Sequence, residues 1–208
     1  MKQGSEDSDS YRLVVLGSTG VGKSALISMF LKGDIERTYK PTVDDIHIGY
    51  AWQGRKKCKL EILDTSGSYD FPAMRRLYIS TGHIFLLVHS LQDPKSFEDA
   101  LCILEQIRDE RTEQDVPILV VGTKSDQKRP GCVSSAEAEL RLIDYMDVVR
   151  YVECNAKSAD SVNSLFKQVA NVVLNPRDRS LSLPVETDSQ PQKRSLSFLR
   201  RLKSIRRS

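Results

Sequence analysis

Residues 17–24 read Gly-Ser-Thr-Gly-Val-Gly-Lys-Ser and match the pattern G-x-x-x-x-G-K-[ST]. They follow an apolar run, Tyr11 to Leu16, that is typical of a buried strand, and a helical pattern continues from Lys23 to Leu31. Glycines let backbone N–H groups wrap around phosphates, and the helix that follows adds its positive end. The motif therefore predicts a nucleoside triphosphate site without choosing the base.

Within this loop two side chains have distinct predicted roles. Lys23 would reach the terminal phosphates, and the hydroxyl of Ser24 would ligate Mg²⁺. The predicted phosphate-binding residues are Gly17, Ser18, Thr19, Gly20, Val21, Gly22, Lys23, Ser24 and Ala25.

Strand and helix patterns alternate along the rest of the chain. Cys58–Leu63 alternates in polarity, whereas Ile84–Val88 and Ile118–Val121 are continuous apolar runs suited to a sheet covered on both faces. Helix starts are indicated by Asp93 before a proline and by Ser134 three residues before a glutamate. A later helix carries one apolar stripe, formed by Val162, Leu165, Phe166, Val169 and Val173. This order predicts an α/β domain with a mostly parallel sheet.

Three later segments resemble known motifs of guanine-nucleotide-binding proteins, and a fourth supports them. They are Thr123-Lys124-Ser125-Asp126, Asn155-Ala156-Lys157, Asp64-Thr65-Ser66-Gly67 and Tyr39-Lys40-Pro41-Thr42. A carboxylate such as that of Asp126 can accept hydrogen bonds from guanine N1–H and from the exocyclic amine, a pattern that adenine does not offer.

In their order and spacing along the chain, the phosphate loop and these four segments resemble the motifs of the small GTPases of the Ras superfamily. The resemblance extends from Tyr11 to Leu174. The stretch Phe71–Leu77 resembles the Di-Ras and dexamethasone-induced Ras (Rhes-like) branch. The resemblance implies a P-loop NTPase fold, with a mostly parallel six-stranded sheet and helices on both faces. It also implies GTP or GDP with Mg²⁺ as cofactors, and hydrolysis of GTP to GDP and phosphate.

The resemblance assigns roles to individual residues. Mg²⁺ would be held by Ser24, Thr42 and Asp64, and the residues closest to the chemistry would be Lys23, Thr42, Gly67 and Ser68. Guanine would be bound by Thr123, Lys124, Asp126, Asn155, Ala156 and Lys157. An effector would bind through residues 39–47, where Asp44 and Asp45 supply acidic character.

Three departures from the family pattern predict altered kinetics. Ser68 stands where the family has a glutamine that positions the attacking water, and Thr19 replaces a glycine near the γ-phosphate. Both changes predict slow hydrolysis, because this reaction depends on positioning and charge stabilisation. Ile35 replaces the aromatic residue that covers guanine, so nucleotide would also exchange faster, unless neighbouring side chains compensate.

The basic charge of the chain is concentrated at its end. The net charge is +3, whereas residues 193–208 hold seven basic side chains and no acidic one, so residues 1–192 sum to −4. The predicted organisation is a disordered acidic segment at 1–10, a GTPase domain at 11–175 and a flexible Ser/Arg-rich tail at 176–208. Cys58, Cys102, Cys132 and Cys154 show no metal or disulfide spacing.

No cysteine follows Cys154, so we expect no prenylation of the tail. Phe198, Leu199, Leu202 and Ile205 would instead share one helical stripe opposite basic residues, as in helices that lie on anionic membranes. The same segment also fits a calmodulin target, a nuclear localisation signal or a solvated tail with no specific partner. Ser182, once phosphorylated, lies in a pattern that 14-3-3 proteins recognise.

The leading interpretation is a signalling switch with weak GTPase activity at the cytoplasmic face of the plasma membrane, with the nucleus as an alternative location. A second interpretation is a nucleotide-bound scaffold that barely cycles. A third, an ATP-dependent enzyme, is disfavoured by the guanine motifs. We expect a monomer without a nucleic-acid partner. The sequence does not identify the effector, the exchange factor or the activating protein.

Overall fold

The fold is a six-stranded sheet with helices on both faces. The computed structural model describes residues 10–35, 42, 44–67, 72–112, 116–127 and 129–175. The strands are β1 (Ser10–Leu16), β2 (Asp45–Gln53), β3 (Lys56–Asp64), β4 (Ile84–Ser90), β5 (Ile118–Thr123) and β6 (Val149–Cys154). Their order in the sheet is β2-β3-β1-β4-β5-β6, and only β2 runs antiparallel to its neighbour. The predicted mostly parallel sheet is confirmed.

Five α-helices connect the strands, together with two short 3₁₀ helices, Ser125–Gln127 and Ile143–Tyr145. The α-helices are α1 (Lys23–Lys32), α2 (Pro72–Thr81), α3 (Pro94–Glu110), α4 (Ser135–Arg141) and α5 (Ala159–Leu174). The two predicted helix starts are present. Asp93 accepts a hydrogen bond from the backbone N–H of Lys95, and Ser134 accepts one from that of Glu137.

The helices form two layers around the sheet. Residues of α1 and α5 pack with alternate side chains of β1, such as Leu13 and Val15, on one face. Residues of α2, α3 and α4 pack with Val14 and Leu16 on the other face. The central strands β1, β4 and β5 are buried on both faces, which explains their continuous apolar sequences.

The sequence patterns did not identify β2. Its inner face carries small residues, because a Cβ on Gly49 would lie 2.9 Å from the side chains of both Phe30 and Leu31 in α1. Its outer face carries large apolar side chains that are exposed to solvent. A half-exposed strand is normally predicted from apolar residues on its buried face and polar residues on its exposed face, and β2 does not follow this pattern.

The topology places the loops that carry the motifs at one edge of the sheet. Strands β1, β3, β4, β5 and β6 are parallel, so their carboxyl ends meet along that edge, where ligands of open α/β sheets bind. Among the described residues, no helix combines the length and the apolar character needed to cross a bilayer.

Candidate nucleotide-binding site

The phosphate loop connects β1 to α1. Gly17, Gly20 and Gly22 have φ angles of 144°, 75° and 109°, a region that favours glycine. Gly22 is the N-cap of α1 and has no side chain that could accept a hydrogen bond from the first turn of the helix. This backbone is built to turn N–H groups towards an anion.

Lys23 extends back along the loop. Its Nζ donates to the carbonyl oxygens of Gly17, at 2.8 Å, and Ser18, at 3.0 Å. The residue is only 6% exposed, and burial lowers the pKa of the ammonium to about 8, while the charges of Asp64 and Asp44 act in the opposite direction. A desolvated cation held over a phosphate loop interacts strongly with an anion.

Three oxygen-bearing side chains meet beside Lys23. The hydroxyls of Ser24 and Thr42 are 2.8 Å apart, and Ser24 also bonds to Asp64. Asp64 is buried, its Oδ1 has no hydrogen-bond partner among the described residues, and burial raises the pKa of its carboxyl. A buried carboxylate oxygen without a partner, next to two hydroxyls, fits a hard cation such as Mg²⁺.

Gly67 lies directly against the phosphate loop. A Cβ at this position would be 2.4 Å from the backbone nitrogen of Thr19, so only glycine allows this approach. Thr19 itself is exposed at the loop surface. The segment after β3 and the loop after β1 thus touch through backbone atoms. A terminal phosphate bound by the loop would lie close to this contact.

Asp44 and Tyr78 link the two segments that flank the cation position, and the sequence analysis did not foresee this link. The carboxylate of Asp44 accepts hydrogen bonds from the Ser66 N–H and from the Tyr78 hydroxyl, both at 2.5 Å. Burial and the Asp44 hydrogen bond raise the pKa of Tyr78 to about 12. Asp44 therefore has a structural role within the domain beside the effector role predicted for it.

At the other end of the edge, Thr123 of β5 contacts β4 and the phosphate loop. Its buried hydroxyl lies 2.5 Å from the carbonyl oxygen of Val21 and 2.9 Å from that of His89, and its single proton is shared between them. Lys124 has a φ of 61° and donates to the carbonyl oxygen of Gly20. The motif after β5 thus holds the loop that follows β1.

The predicted base-binding residues converge on the same edge. Lys157 Nζ lies 3.1 Å from Asp126 Oδ2. Burial acts to raise the pKa of the Asp126 carboxyl, but the hydrogen bond from Lys157 helps to hold this pKa below its usual value. Asn155 accepts from the Lys157 N–H, which closes the turn containing Ala156. The carboxylate and the turn lie on adjacent strand ends, β5 and β6, as a purine clamp requires.

A further contact ties α3 to the phosphate loop. The hydroxyl of Ser18 donates to Asp99 Oδ2 at 2.7 Å. Ser18 was predicted to bind phosphate through its backbone, but no pattern in α3 singled out Asp99. Several predicted residues lie outside the described part of the chain, namely Tyr39, Lys40, Pro41, Ser68, residues 1–9 and the tail at 176–208.

Comparison with known proteins identifies the sequences that this chain resembles. The sequence model of the Ras family matches residues 12–175. The GTP-binding protein Di-Ras2 of Pongo abelii is 38% identical over 191 residues, which cover 91% of this chain and 94% of the relative. Di-Ras1 of Mus musculus is 38% identical over 192 residues, with the same coverage of each chain. The GTP-binding protein Rhes of Mus musculus is 37% identical over 185 residues, covering 84% and 69%. The predicted resemblance to the Di-Ras and Rhes branch is confirmed.

Proposed function

The chain belongs to the Ras family of small GTPases, and from that premise we propose that it is a GTP/GDP signalling switch with weakened intrinsic hydrolysis and a tail that associates with membranes. Members of this family bind GTP or GDP with Mg²⁺ and hydrolyse GTP. The observation that carries the proposal is the buried Oδ1 of Asp64, which has no hydrogen-bond partner in the described part of the chain, beside the paired hydroxyls of Ser24 and Thr42.

In the proposed mechanism these residues prepare a site for the terminal phosphates. Lys23 is positioned by two loop carbonyls and presents its charge there, while Ser24, Thr42 and Asp64 would hold Mg²⁺. The ion, when bound, neutralises charge that develops on the phosphate oxygens. Asp126 and the turn at Asn155 would select guanine, and residues 39–47 would present the effector surface.

We attribute the proposed weakened hydrolysis to two residues that the sequence resemblance assigns to the neighbourhood of the γ-phosphate. The serine hydroxyl at Ser68 is too short to orient water as a glutamine amide does. The backbone of Thr19 lies against Gly67, and Thr19 carries a β-branched side chain where the family has a glycine. We infer that both the attacking water and a stabilising arginine from an activating protein would be crowded here.

Substituting Ser68→Gln together with Thr19→Gly is expected to raise the single-turnover rate of GTP hydrolysis about tenfold or more, because it restores the group that orients water. The assay uses protein preloaded with labelled GTP, with an ordinary Ras protein measured alongside. Equal rates for the parent and the ordinary Ras protein would refute weakened hydrolysis. A double variant that binds GTP but stays as slow as the parent would favour the scaffold that barely cycles.

Ile35→Phe is expected to slow nucleotide release roughly three- to tenfold, because an aromatic ring stacks on the base better than a branched aliphatic side chain. Ile35 is half-buried, and its backbone N–H is bonded to the Asp34 carboxylate, so the substitution should leave the backbone in place. Release of a fluorescent GDP analogue measures the effect, and Leu140→Phe on the exposed face of α4 is the control. Equal release rates for Ile35→Phe and the parent would show that neighbouring side chains compensate.

The tail proposals rest on sequence and charge. Residues 193–208 would bind an anionic inner leaflet reversibly, since each basic residue near the surface contributes on the order of 1 kcal/mol. Calmodulin binding at the same segment, nuclear import and 14-3-3 binding at phosphorylated Ser182 are the competing or additional roles.

A further inference from the structure

One face of the β2–β3 hairpin is apolar and exposed. Ile46, Ile48, Tyr50 and Trp52 are exposed by 60%, 49%, 46% and 52%. They point to the same side because alternate residues of a strand share a face. These four side chains, with Lys57 and Lys59 opposite them on β3, are here named the hairpin face.

The packing of the hairpin leaves this face outside the core. Ala51 of β2 and Cys58 and Leu60 of β3 are buried on the opposite face, in the cluster that also contains α1 and α5. The layer formed by α1 and α5 therefore covers the inner side of the hairpin. Contiguous exposed apolar side chains of this size mark a surface that meets a partner.

The charge of the hairpin indicates the kind of partner. Between Asp45 and Glu61 the hairpin carries four basic side chains, Arg55, Lys56, Lys57 and Lys59, against these two acidic ones. Glu61, which lies opposite Ile48, is paired with Arg12. Lys57 Nζ lies 3.8 Å from the centre of the Tyr50 ring and 5.6 Å from that of Trp52. Aromatic rings with lysine ammonium groups beside them are typical of side chains at the headgroup level of a bilayer.

The end of the described chain lies at the same side of the domain. Gln53, the last residue of β2, donates to Asn171 Oδ1 at 3.2 Å, and the side chain of Asn175 donates to the same oxygen. The described chain thus ends, at Asn175, next to the end of β2 in the hairpin. The tail that carries the seven basic residues at 193–208 is therefore attached to the domain near the hairpin face.

We propose that the hairpin face is a second membrane-docking surface, which places Trp52 and Tyr50 at the headgroups of an anionic phospholipid bilayer. This surface would orient the domain on the membrane, whereas the tail alone would only tether it. The inference does not depend on nucleotide hydrolysis. It also differs from the tail proposal, because it requires insertion of a particular side chain of the folded domain.

Trp52 is the only tryptophan in the chain, so its fluorescence reports this contact without any substitution. With the full chain and vesicles containing phosphatidylserine, we expect a blue shift of the emission and quenching by brominated lipid. Vesicles of phosphatidylcholine alone should cause neither change. Replacing Arg200, Arg201, Arg206 and Arg207 by glutamine should weaken overall binding but leave the shift at saturating vesicle concentration.

Lys56→Glu with Lys57→Glu is expected to lower vesicle affinity more than about tenfold, because two attractive charges near the surface are reversed. Lys95→Glu with Arg129→Glu changes the net charge equally at exposed positions on other elements, and should alter affinity less than about twofold. All four substitutions are at exposed side chains, and circular dichroism checks that both variants are folded.

Two results would overturn the proposal. The first is unchanged Trp52 emission while the protein sediments with anionic vesicles, which would leave the tail as the sole contact. The second is an equal loss of affinity in the two charge-reversed variants, which would show a response to net charge alone. Absence of vesicle binding by the full chain would refute the hairpin and the tail proposals together, and the face would then belong to a protein partner.

Discussion

Gly17→Ala is expected to destabilise the domain by at least about 3 kcal/mol, a large part of the stability of an ordinary domain. A Cβ at this position would lie 2.0 Å from the carbonyl oxygen of Val88, and the φ of 144° is unfavourable for any L side chain. The obstacle is a backbone atom of β4, which pairs with both β1 and β5 and has little freedom to move. Urea unfolding followed by circular dichroism measures the loss.

Gly20→Ala provides the matched control in the same loop. Gly20 also has a positive φ, 75°, but a Cβ there would meet no atom within 4 Å. Only backbone strain remains, so the cost should be about 1–2 kcal/mol. If the two variants were destabilised equally, the close contact between the loop and β4 would be wrong.

Lys23→Met is expected to weaken GTP binding about a thousandfold or more while leaving the domain folded. Binding is expected to weaken because the variant removes the buried ammonium of Lys23, which the loop carbonyls hold where the phosphates are proposed to bind. Folding is expected to be retained because an apolar side chain of similar length fills the space and removes the desolvation cost of a buried ammonium. Titration with a fluorescent GTP analogue measures the affinity, and thermal unfolding of the nucleotide-free protein checks the fold.

Lys95→Met is the control for loss of a positive charge, because Lys95 is exposed at the start of α3. It should bind nucleotide like the parent within about twofold. Retention of tight binding by Lys23→Met would show that the residues assigned to the phosphates do not form the site.

The sequence predicted the fold where local and global signals agree. Central strands that are buried on both sides, such as β4 and β5, must be apolar on both faces, so their sequences are continuous apolar runs. A glycine-rich loop between a strand and a helix is typical of a phosphate-binding site, so the local motif and the overall fold agree. The helix starts at Asp93 and Ser134 were predicted for the same reason, because a cap is a local contact between residues close in sequence.

Features that depend on distant contacts were not predicted. Strand β2 places small residues inside because α1 packs against Gly49, and this contact cannot be read from β2 alone. The bonds from Tyr78 to Asp44 and from Ser18 to Asp99 join residues 34 and 81 positions apart. The motifs therefore predict which residues would touch the ligand, but they did not reveal the side chains that contact and position these residues.

The most direct test of the central claim is chromatography of the nucleotide released when freshly purified protein is denatured. A switch with weakened hydrolysis and rapid exchange should release a guanine nucleotide, predominantly GTP, with one nucleotide per chain. Predominantly GDP would contradict weakened hydrolysis and leave a conventional switch that needs an exchange factor. Release of an adenine nucleotide, or of none, would contradict the guanine site itself.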